Sequence, residues 1–412
     1  MRAPILLLHG TSPASENAVE MRVKPLVSSG IAPTLAWIVI LALAAASCPG
    51  QDIASADNQR QTAISLEQEG KNADAEVAWR AFLKAQPTNP EALAHLGLLE
   101  ARQEHYTEAV AFYRKALAFN PTMPGLRLNL GLALFKAGEL KQAIQTFDLL
   151  LKSQPQNSAE ALRLKTLIGM AHYGLGDYAA AIPYLKQATA GDPQNLPFRL
   201  DLAHSCLRTK QYPCVLDVYH EILLLNAESA EADMLAGEAL DEMNDHAGAM
   251  QQFRAAVKAN PQEPNVHFGL GYLLWTQGQF DEAAQEFQAE LANVPNHAEA
   301  LAYLADANIK MNHPDVALAL IQKTIRINPR IEMAHLDLGI LYVNEGRRDD
   351  ALQELKLAAR LSPNDVNVHW RLGRLYKAMG RNDDANAEFQ KTSSLTKAND
   401  SVSSKIDNAR TP

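Results

Sequence analysis

The sequence contains few aromatic residues and no excess of positive charge. Aromatic residues make up 6% of the chain, whereas hydrophobic residues as a whole reach 47%. Alanine and leucine supply much of that hydrophobic content, which favours helix over sheet. The formal net charge is −9, while a general nucleic-acid or anionic-membrane surface needs clustered lysine and arginine. We therefore expect a helical protein that does not bind nucleic acid.

Motifs of catalysis are also missing. The chain has no G-x-S-x-G, no phosphate-binding loop with its lysine, no H-E-x-x-H and no C-x-x-C. Residues 174–179 fit G-x-G-x-x-A by letter, but they follow an expected helix and not a strand, so we interpret them as a turn. We predict that the protein is not an enzyme, with no catalytic residues, no metal site and no cofactor.

Cysteine is scarce, with three residues in the whole chain. Cys206 and Cys214 could pair in an oxidising compartment. Alternatively, they are two small buried residues of one helical hairpin. Spacing alone does not establish the Cα approach that a disulfide requires, and we favour the second interpretation.

Residues 21–48 have the order of a targeting segment. Arg22 and Lys24 precede an apolar run from Ile31 to Ser47, and Cys48 follows a group of small residues. A positive region, an apolar region and small residues at the end are typical of a signal peptide. Residues 1–20 fit poorly upstream of it, so Met21 is a candidate for the true start.

Three interpretations of this segment stay open. It is cleaved near Ser47, lipidated at Cys48, or kept as a membrane anchor. Residues 45–48 resemble a bacterial lipoprotein signal, although Ala45 stands where leucine is usual. In all three cases the positive flank stays inside, so the rest of the chain is exported, periplasmic or membrane-anchored. Contact with a membrane is then expected only through this segment.

Most of the remaining chain repeats with a period of 34 residues. A proline recurs at this interval in two runs, Pro87, Pro121 and Pro155, then Pro261, Pro295, Pro329 and Pro363. A glycine or alanine follows ten positions after the proline slot, as at Gly131, and a second alanine twenty-two positions after it, as at Ala143. Four residues further on, an aromatic or aliphatic residue such as Phe147 completes the pattern.

Each element of the repeat has a physical reason. A small residue such as Gly131 lets a partner helix approach closely, because a larger side chain would hold the axes apart. Gly138 falls at the turn between two helices, where a positive φ is often needed. The ring of Phe147 fills the gap beside Ala143 on the same face. The proline ends the second helix. One such hairpin cannot bury its apolar face alone, so we expect a stack.

This skeleton resembles the tetratricopeptide repeat (TPR) family, in a bacterial exported or lipoprotein-like form. About ten repeats fit between residues 56 and 399, with a linker at 49–55 and a flexible tail at 400–412. The resemblance implies an all-α fold, a right-handed α-α superhelical solenoid of stacked helix-turn-helix repeats. It also implies a protein-interaction scaffold with its binding groove on the concave face.

In this family the first helix of each repeat lines the groove. When this rule is applied to the present chain, the predicted groove residues change in chain order from apolar to acidic, then to aromatic, and finally to basic. Its candidate binding residues are Phe135, Tyr173, Glu238, Asp241, Phe268, Tyr272, Trp275, Trp370, Arg371, Arg374 and Lys377. Alternatively, part of this set packs against neighbouring first helices.

Two functions follow from these observations. The first is a scaffold of the cell envelope that binds a peptide or an amphipathic helix of a protein partner. The second is a carbohydrate-binding protein of polysaccharide export, with Tyr272 and Trp275 stacking on sugars.

Overall fold

The computed structural model describes residues 49–225 and 228–410. The expectations for residues 1–48, including lipidation of Cys48, lie outside the described residues. Within the described ranges, all regular secondary structure is α-helical and forms twenty helices in ten hairpins. None of these helices combines the length and the apolar character that a bilayer span requires.

The helices alternate along the chain as first and second members of a hairpin. The first helices are α1 (Pro49–Gln68), α3 (Pro90–Arg102), α5 (Leu126–Lys136), α7 (Ala159–Gly174), α9 (Leu196–Arg208), α11 (Ala230–Glu242), α13 (Val266–Thr276), α15 (Ala298–Lys310), α17 (Glu332–Asn344) and α19 (Val366–Ala378). The second helices are α2 (Asn72–Ala85), α4 (Tyr106–Phe119), α6 (Leu140–Leu151), α8 (Tyr178–Gly191), α10 (Tyr212–Leu224), α12 (His246–Ala259), α14 (Phe280–Asn293), α16 (Pro314–Ile327), α18 (Arg348–Leu361) and α20 (Asn382–Arg410).

The ends of the repeat array differ from the expected boundaries. Residues 49–55, expected as a linker, belong to α1, and residues 400–410, expected as a tail, belong to α20.

Two compact units divide the described chain. Residues 49–195 contain α1–α8, and residues 196–410 contain α9–α20. Within each unit, the second helix of one hairpin packs against the first helix of the next, as α6 does with α7 and α14 with α15. First helices of adjacent hairpins also contact each other, as α13 does with α15 and α15 with α17. This stacking confirms the all-α solenoid of helix-turn-helix repeats.

The repeated glycine and the repeated aromatic residue are direct partners. A Cβ atom on Gly131 would lie 2.5 Å from Cε1 of Phe147, and one on Gly97 would lie 2.6 Å from Cε1 of Tyr113. The aromatic ring of the second helix thus occupies the space that a side chain on the first helix would need. Close packing of the two helices therefore depends on both positions of the repeat at once.

The turn between the two helices requires a left-handed residue. Gly138 has φ 77°, which glycine adopts without steric cost. Lys210 occupies the same turn position between α9 and α10 and has φ 60°. Glu104, Asn244 and Asn312 do the same in the turns after α3, α11 and α15, with φ of 63°, 64° and 63°. Nonglycine residues are uncommon in this region of backbone space, so these four turns carry strain that the glycine turns avoid.

The same hairpin carries a disulfide. Cys206 in α9 and Cys214 in α10 are bonded, with Cα atoms 5.9 Å apart. The favoured expectation of two unpaired cysteines is therefore wrong. The spacing of eight residues crosses the turn, so the end of one helix meets the start of the next, which spacing alone did not reveal. The bond closes one of the four hairpins whose turn lacks glycine.

Candidate functional site

A cavity of about 840 Å³ extends along the first helices of the last four hairpins, within residues 196–410. Helices α13, α15, α17 and α19 supply most of its wall. We call it the α13–α19 groove and define it by Trp275, Tyr303, Asp306, Asp337 and Trp370, which all line it. Its size is in the range of sites that hold a small molecule or part of a peptide.

One side of the groove is aromatic. The ring of Tyr303 on α15 lies edge-on to Trp275, with centroids 5.1 Å apart, and edge-on to Tyr272 at 5.5 Å. The indole Nε1 of Trp275 donates a hydrogen bond of 2.7 Å to Oδ2 of Asp306. These contacts fix the orientation of the rings that face the cavity. Trp370 is 41% exposed and extends this wall on α19.

The other feature of the groove is a set of carboxylates in unusual surroundings. Asp337 on α17 is only 1% exposed, and its Oδ2 has no hydrogen-bond partner in the part of the chain that the structure describes. Burial, and then the negative charge of Asp306, raise the pKa of Asp337 well above its ordinary value. Oε1 of Glu332 also has no hydrogen-bond partner. Burial, and then the charge of Asp365, raise the pKa of Glu332 to about 7. Acids of this kind concentrate at functional sites.

Because of Glu332, we expect the protein to lose stability as the pH rises through neutrality. The folded-state pKa of about 7 lies above the ordinary value of 4.5. The stability contributed by protonated Glu332 is therefore full below about pH 4.5 and is lost as the pH rises through about 7. After discounting for partial exposure, Glu332→Gln should be more stable than the unaltered chain by on the order of 1–2 kcal/mol near pH 8.

The measurement is urea unfolding of both chains between about pH 5 and pH 8. The difference in the free energy of unfolding should grow with pH and be small near pH 5. A difference that is the same at every pH would show that Glu332 does not titrate as the fold implies.

The predicted aromatic patch is only partly in the groove. Tyr272, Trp275 and Trp370 line it. Phe268 does not, because it is buried and its ring packs against Phe287 and His297, with centroids 5.9 and 4.9 Å away. We therefore assign Phe268 to the core of α13–α15.

The predicted basic end lies on α19 beside Trp370. The guanidinium of Arg374 lies over the indole of Trp370, 4.9 Å from the ring centroid. Arg371 and Arg374 line a second, smaller cavity of about 350 Å³, which Trp370 also borders. Burial lowers the pKa of Arg371. Lys377 is exposed and lines neither cavity.

The remaining candidates lie away from the α13–α19 groove. On α11, Glu238 is buried, and burial raises its pKa well above the ordinary value, while Asp241 bonds Nδ1 of His246 at 2.6 Å. Phe135 packs, half-buried, on the core of α4–α7. Tyr173, also half-buried, lies edge-on to Tyr178 at 5.8 Å. Phe135, Tyr173 and Asp241 thus make contacts within their own part of the fold, whereas Oε1 of Glu238 has no hydrogen-bond partner among the described residues.

A further cavity, of about 410 Å³, is lined by residues of α10, α11 and α12. Two of its polar lining residues already pair, since the hydroxyl of Tyr219 lies 2.9 Å from Oδ1 of Asp233, and the same hydroxyl lies 2.8 Å from Oε1 of Gln252 outside the lining. The α13–α19 groove is therefore the stronger candidate, because it keeps carboxylate oxygens without partners.

Sequence reasoning missed Tyr303, Asp306, Glu332 and Asp337. The periodicity contained a signal for part of this set. Asp306 in α15 lies one period of 34 residues after Tyr272, and Leu336 in α17 lies one period before Trp370. Both residues line the groove. Tyr303 and Asp337 each lie one residue after a position that the period assigns to the groove. Both nevertheless line the groove, which a fixed period does not predict.

Comparisons with known proteins agree with the architecture. Models of the tetratricopeptide repeat family match residues 100–168, 172–238, 274–338 and 342–401. A second model of the same family matches residues 60–124, 216–264 and 234–298. Together these matches cover well over half of the chain.

Individual relatives are distant. The chain is 24% identical to Protein CTR9 homolog of Arabidopsis thaliana over 283 residues, which is 67% of this chain and 26% of that protein. It is 24% identical to Cellulose synthase operon protein C of Pseudomonas fluorescens over 289 residues, 67% of this chain and 22% of that protein. The chain thus spans about a quarter of the length of these two relatives.

Among solved structures, a tetratricopeptide repeat protein from Parabacteroides merdae is 19% identical, with a TM-score of 0.47. The match covers 60% of this chain and 96% of that one. The repeat skeleton, the hairpins stacked within each unit and the family matches lead to one conclusion: this chain belongs to the tetratricopeptide repeat family.

Proposed function

We propose that the chain is a non-enzymatic scaffold whose α13–α19 groove binds a peptide or an amphipathic helix of a partner protein. The observation that carries this proposal is the group of aromatic rings that line a cavity of about 840 Å³, where Trp370 is exposed, Trp275 and Tyr303 are half-buried and Tyr272 is buried. Tryptophan and tyrosine at such positions contribute most of the binding energy of protein interfaces. The first helices of successive repeats supply a long, continuous wall, which suits an extended or helical segment.

The place of action is the cell envelope in this proposal. Its support is the order of charge and hydropathy in residues 21–48, which is typical of export. The scaffold is then periplasmic or tethered to the membrane through that segment, and its repeats face a partner outside the cytoplasm.

A second candidate is binding of a polysaccharide during export. The similarity to Cellulose synthase operon protein C over 67% of this chain favours it, as do the rings of Tyr272 and Trp275 in the groove. Aromatic faces stack on sugar rings as well as on peptides. The carboxylates of the groove favour the peptide, because a neutral glycan leaves their charge without a partner.

Peptide and glycan arrays probed with the purified full chain separate the two candidates. We expect retained peptides, with binding at least about tenfold weaker for Trp370→Ala. Phe119→Ala is the matched control, since Phe119 is also an exposed aromatic residue but lies on α4, outside the groove. Retention of glycans without peptides would replace the first candidate by the second. Equal effects of the two substitutions would place binding elsewhere.

A further inference from the structure

The buried carboxylate of Asp337 is the starting point. It lines the α13–α19 groove, is 1% exposed, and keeps Oδ2 without a hydrogen-bond partner. An unpaired buried oxygen costs free energy, and native folds satisfy nearly all such atoms. The groove is the side from which a donor can reach it. Asp337 therefore indicates a ligand that carries a hydrogen-bond donor into the cavity.

The charges of the groove's lining residues indicate the charge of that ligand. Its lining residues include five acids, Glu299, Asp306, Glu332, Asp337 and Asp365, and two bases, Lys310 and Arg330. Lys310 lies 3.6 Å from Asp306 and is already paired with it. The raised pKa values of Glu332 and Asp337 reduce the charge of these two acids, but the other three acids still outnumber the two bases. The balance along the wall is therefore negative, and a cation is the complementary ligand.

The surrounding groups help to balance the charge of Asp337 only in part. The positive charges of Lys310 and Arg371 stabilise the ionised form of Asp337, whereas the negative charges of Asp306 and Glu332 destabilise it. Nε of Arg371 donates instead to Oδ1 of Asn367 at 3.1 Å. Among the described residues, none donates a hydrogen bond to Oδ2 of Asp337.

The arrangement suits an elongated cation better than a metal ion. Within the described side chains, no three His, Cys, Asp or Glu residues converge on a point where an ion could sit. The acids are distributed along the wall instead, next to the rings of Trp275, Tyr303 and Trp370. A planar guanidinium can donate to more than one carboxylate and stack on an aromatic face at the same time. The fold itself uses this contact where Arg374 lies over Trp370.

We propose that the α13–α19 groove takes an arginine side chain of the partner, whose guanidinium donates to Asp337 and lies against the aromatic wall. This inference rests on the proposed function, since it names the anchor residue of the bound peptide. Arginine fits better than lysine because its fixed fork of donors matches paired carboxylates and its plane stacks on indole.

The test uses a library of randomised twelve-residue peptides, selected on the immobilised full chain. We expect the retained peptides to share an arginine. Replacing that arginine by citrulline, which keeps the shape but removes the charge, should weaken binding about tenfold or more. On Asp337→Asn the same replacement should have little effect, because the coupled partner is gone. Asp315→Asn, at an exposed position of α16, is the matched control and should behave like the unaltered chain.

Thermal unfolding shows whether Asp337→Asn keeps its fold. Glu332→Gln, which changes another acid of the same groove wall, is measured with the same peptides as a second variant. Retained peptides without arginine, or an equal citrulline effect on the unaltered chain and on Asp337→Asn, would overturn the arginine anchor while leaving peptide binding in place. If no peptide is retained, the proposed function fails and this inference fails with it.

Discussion

Replacing Ala143 by glutamate should unfold the repeats around it. Ala143 lies in α6, is fully buried, and belongs to the core cluster that contains Phe147 and residues of α4, α5 and α7. A carboxylate at this position has no room and no partner, and burying it costs several kcal/mol. Since small domains are stable by roughly 5–15 kcal/mol, we expect the melting temperature to fall by about 10 °C or more.

Circular dichroism during heating measures this effect, and Ala111→Glu is its control. Ala111 lies in the neighbouring second helix α4 but is exposed, so the same chemical change there should leave melting nearly unaltered. If Ala143→Glu melts like the unaltered chain, Ala143 is not between packed helices, and the assigned repeat register is wrong.

Replacing Trp275 by alanine should weaken partner binding by roughly 30- to 100-fold while the helices remain intact. Trp275 is only partly buried, lies edge-on to Tyr303, and holds Asp306 through its Nε1. Its removal deletes an aromatic face and releases a carboxylate of the groove. Losses of this size are typical of tryptophan at the centre of an interface.

Trp275→Phe separates the two contributions. It keeps an aromatic face but lacks the donor to Asp306, so binding should fall between that of the unaltered chain and that of Trp275→Ala. Melting should fall only slightly in both variants, because Trp275 lies at the edge of the core. A sharp fall in melting would assign Trp275 to the core and remove it from the groove.

The repeats could be predicted from the sequence because their determinants are local and recur. Gly131, Ala143 and Phe147 each occupy a slot whose physical role is the same in every hairpin, and the structure confirms the close contact of Gly131 with Phe147. The turn position could also be predicted from the sequence, and Gly138 adopts the expected left-handed conformation. The fold class could therefore be predicted from the period of the sequence.

The candidate site was less accessible to sequence reasoning. A period gives the face of a helix but not the depth to which neighbouring helices cover it. Phe268 occupies a groove slot by count, yet α14 and α15 cover its ring. Asp337 is one residue away from a position that the repeat assigns to the groove, and its lack of a hydrogen-bond partner among the described residues cannot be read from the period. The bond between Cys206 and Cys214 likewise depends on a distance that spacing does not give.

The most direct test of the groove as a binding surface is a photoreactive side chain at position 370, introduced into the full chain in cells that naturally make it. Trp370 is 41% exposed beside the cavity, and Val316, 52% exposed on α16, gives the control position. We predict that one protein crosslinks repeatedly from position 370, that Trp275→Ala abolishes this crosslink, and that position 316 does not give it. Crosslinks from position 370 that stay within the same chain would contradict the assignment of the α13–α19 groove to a partner.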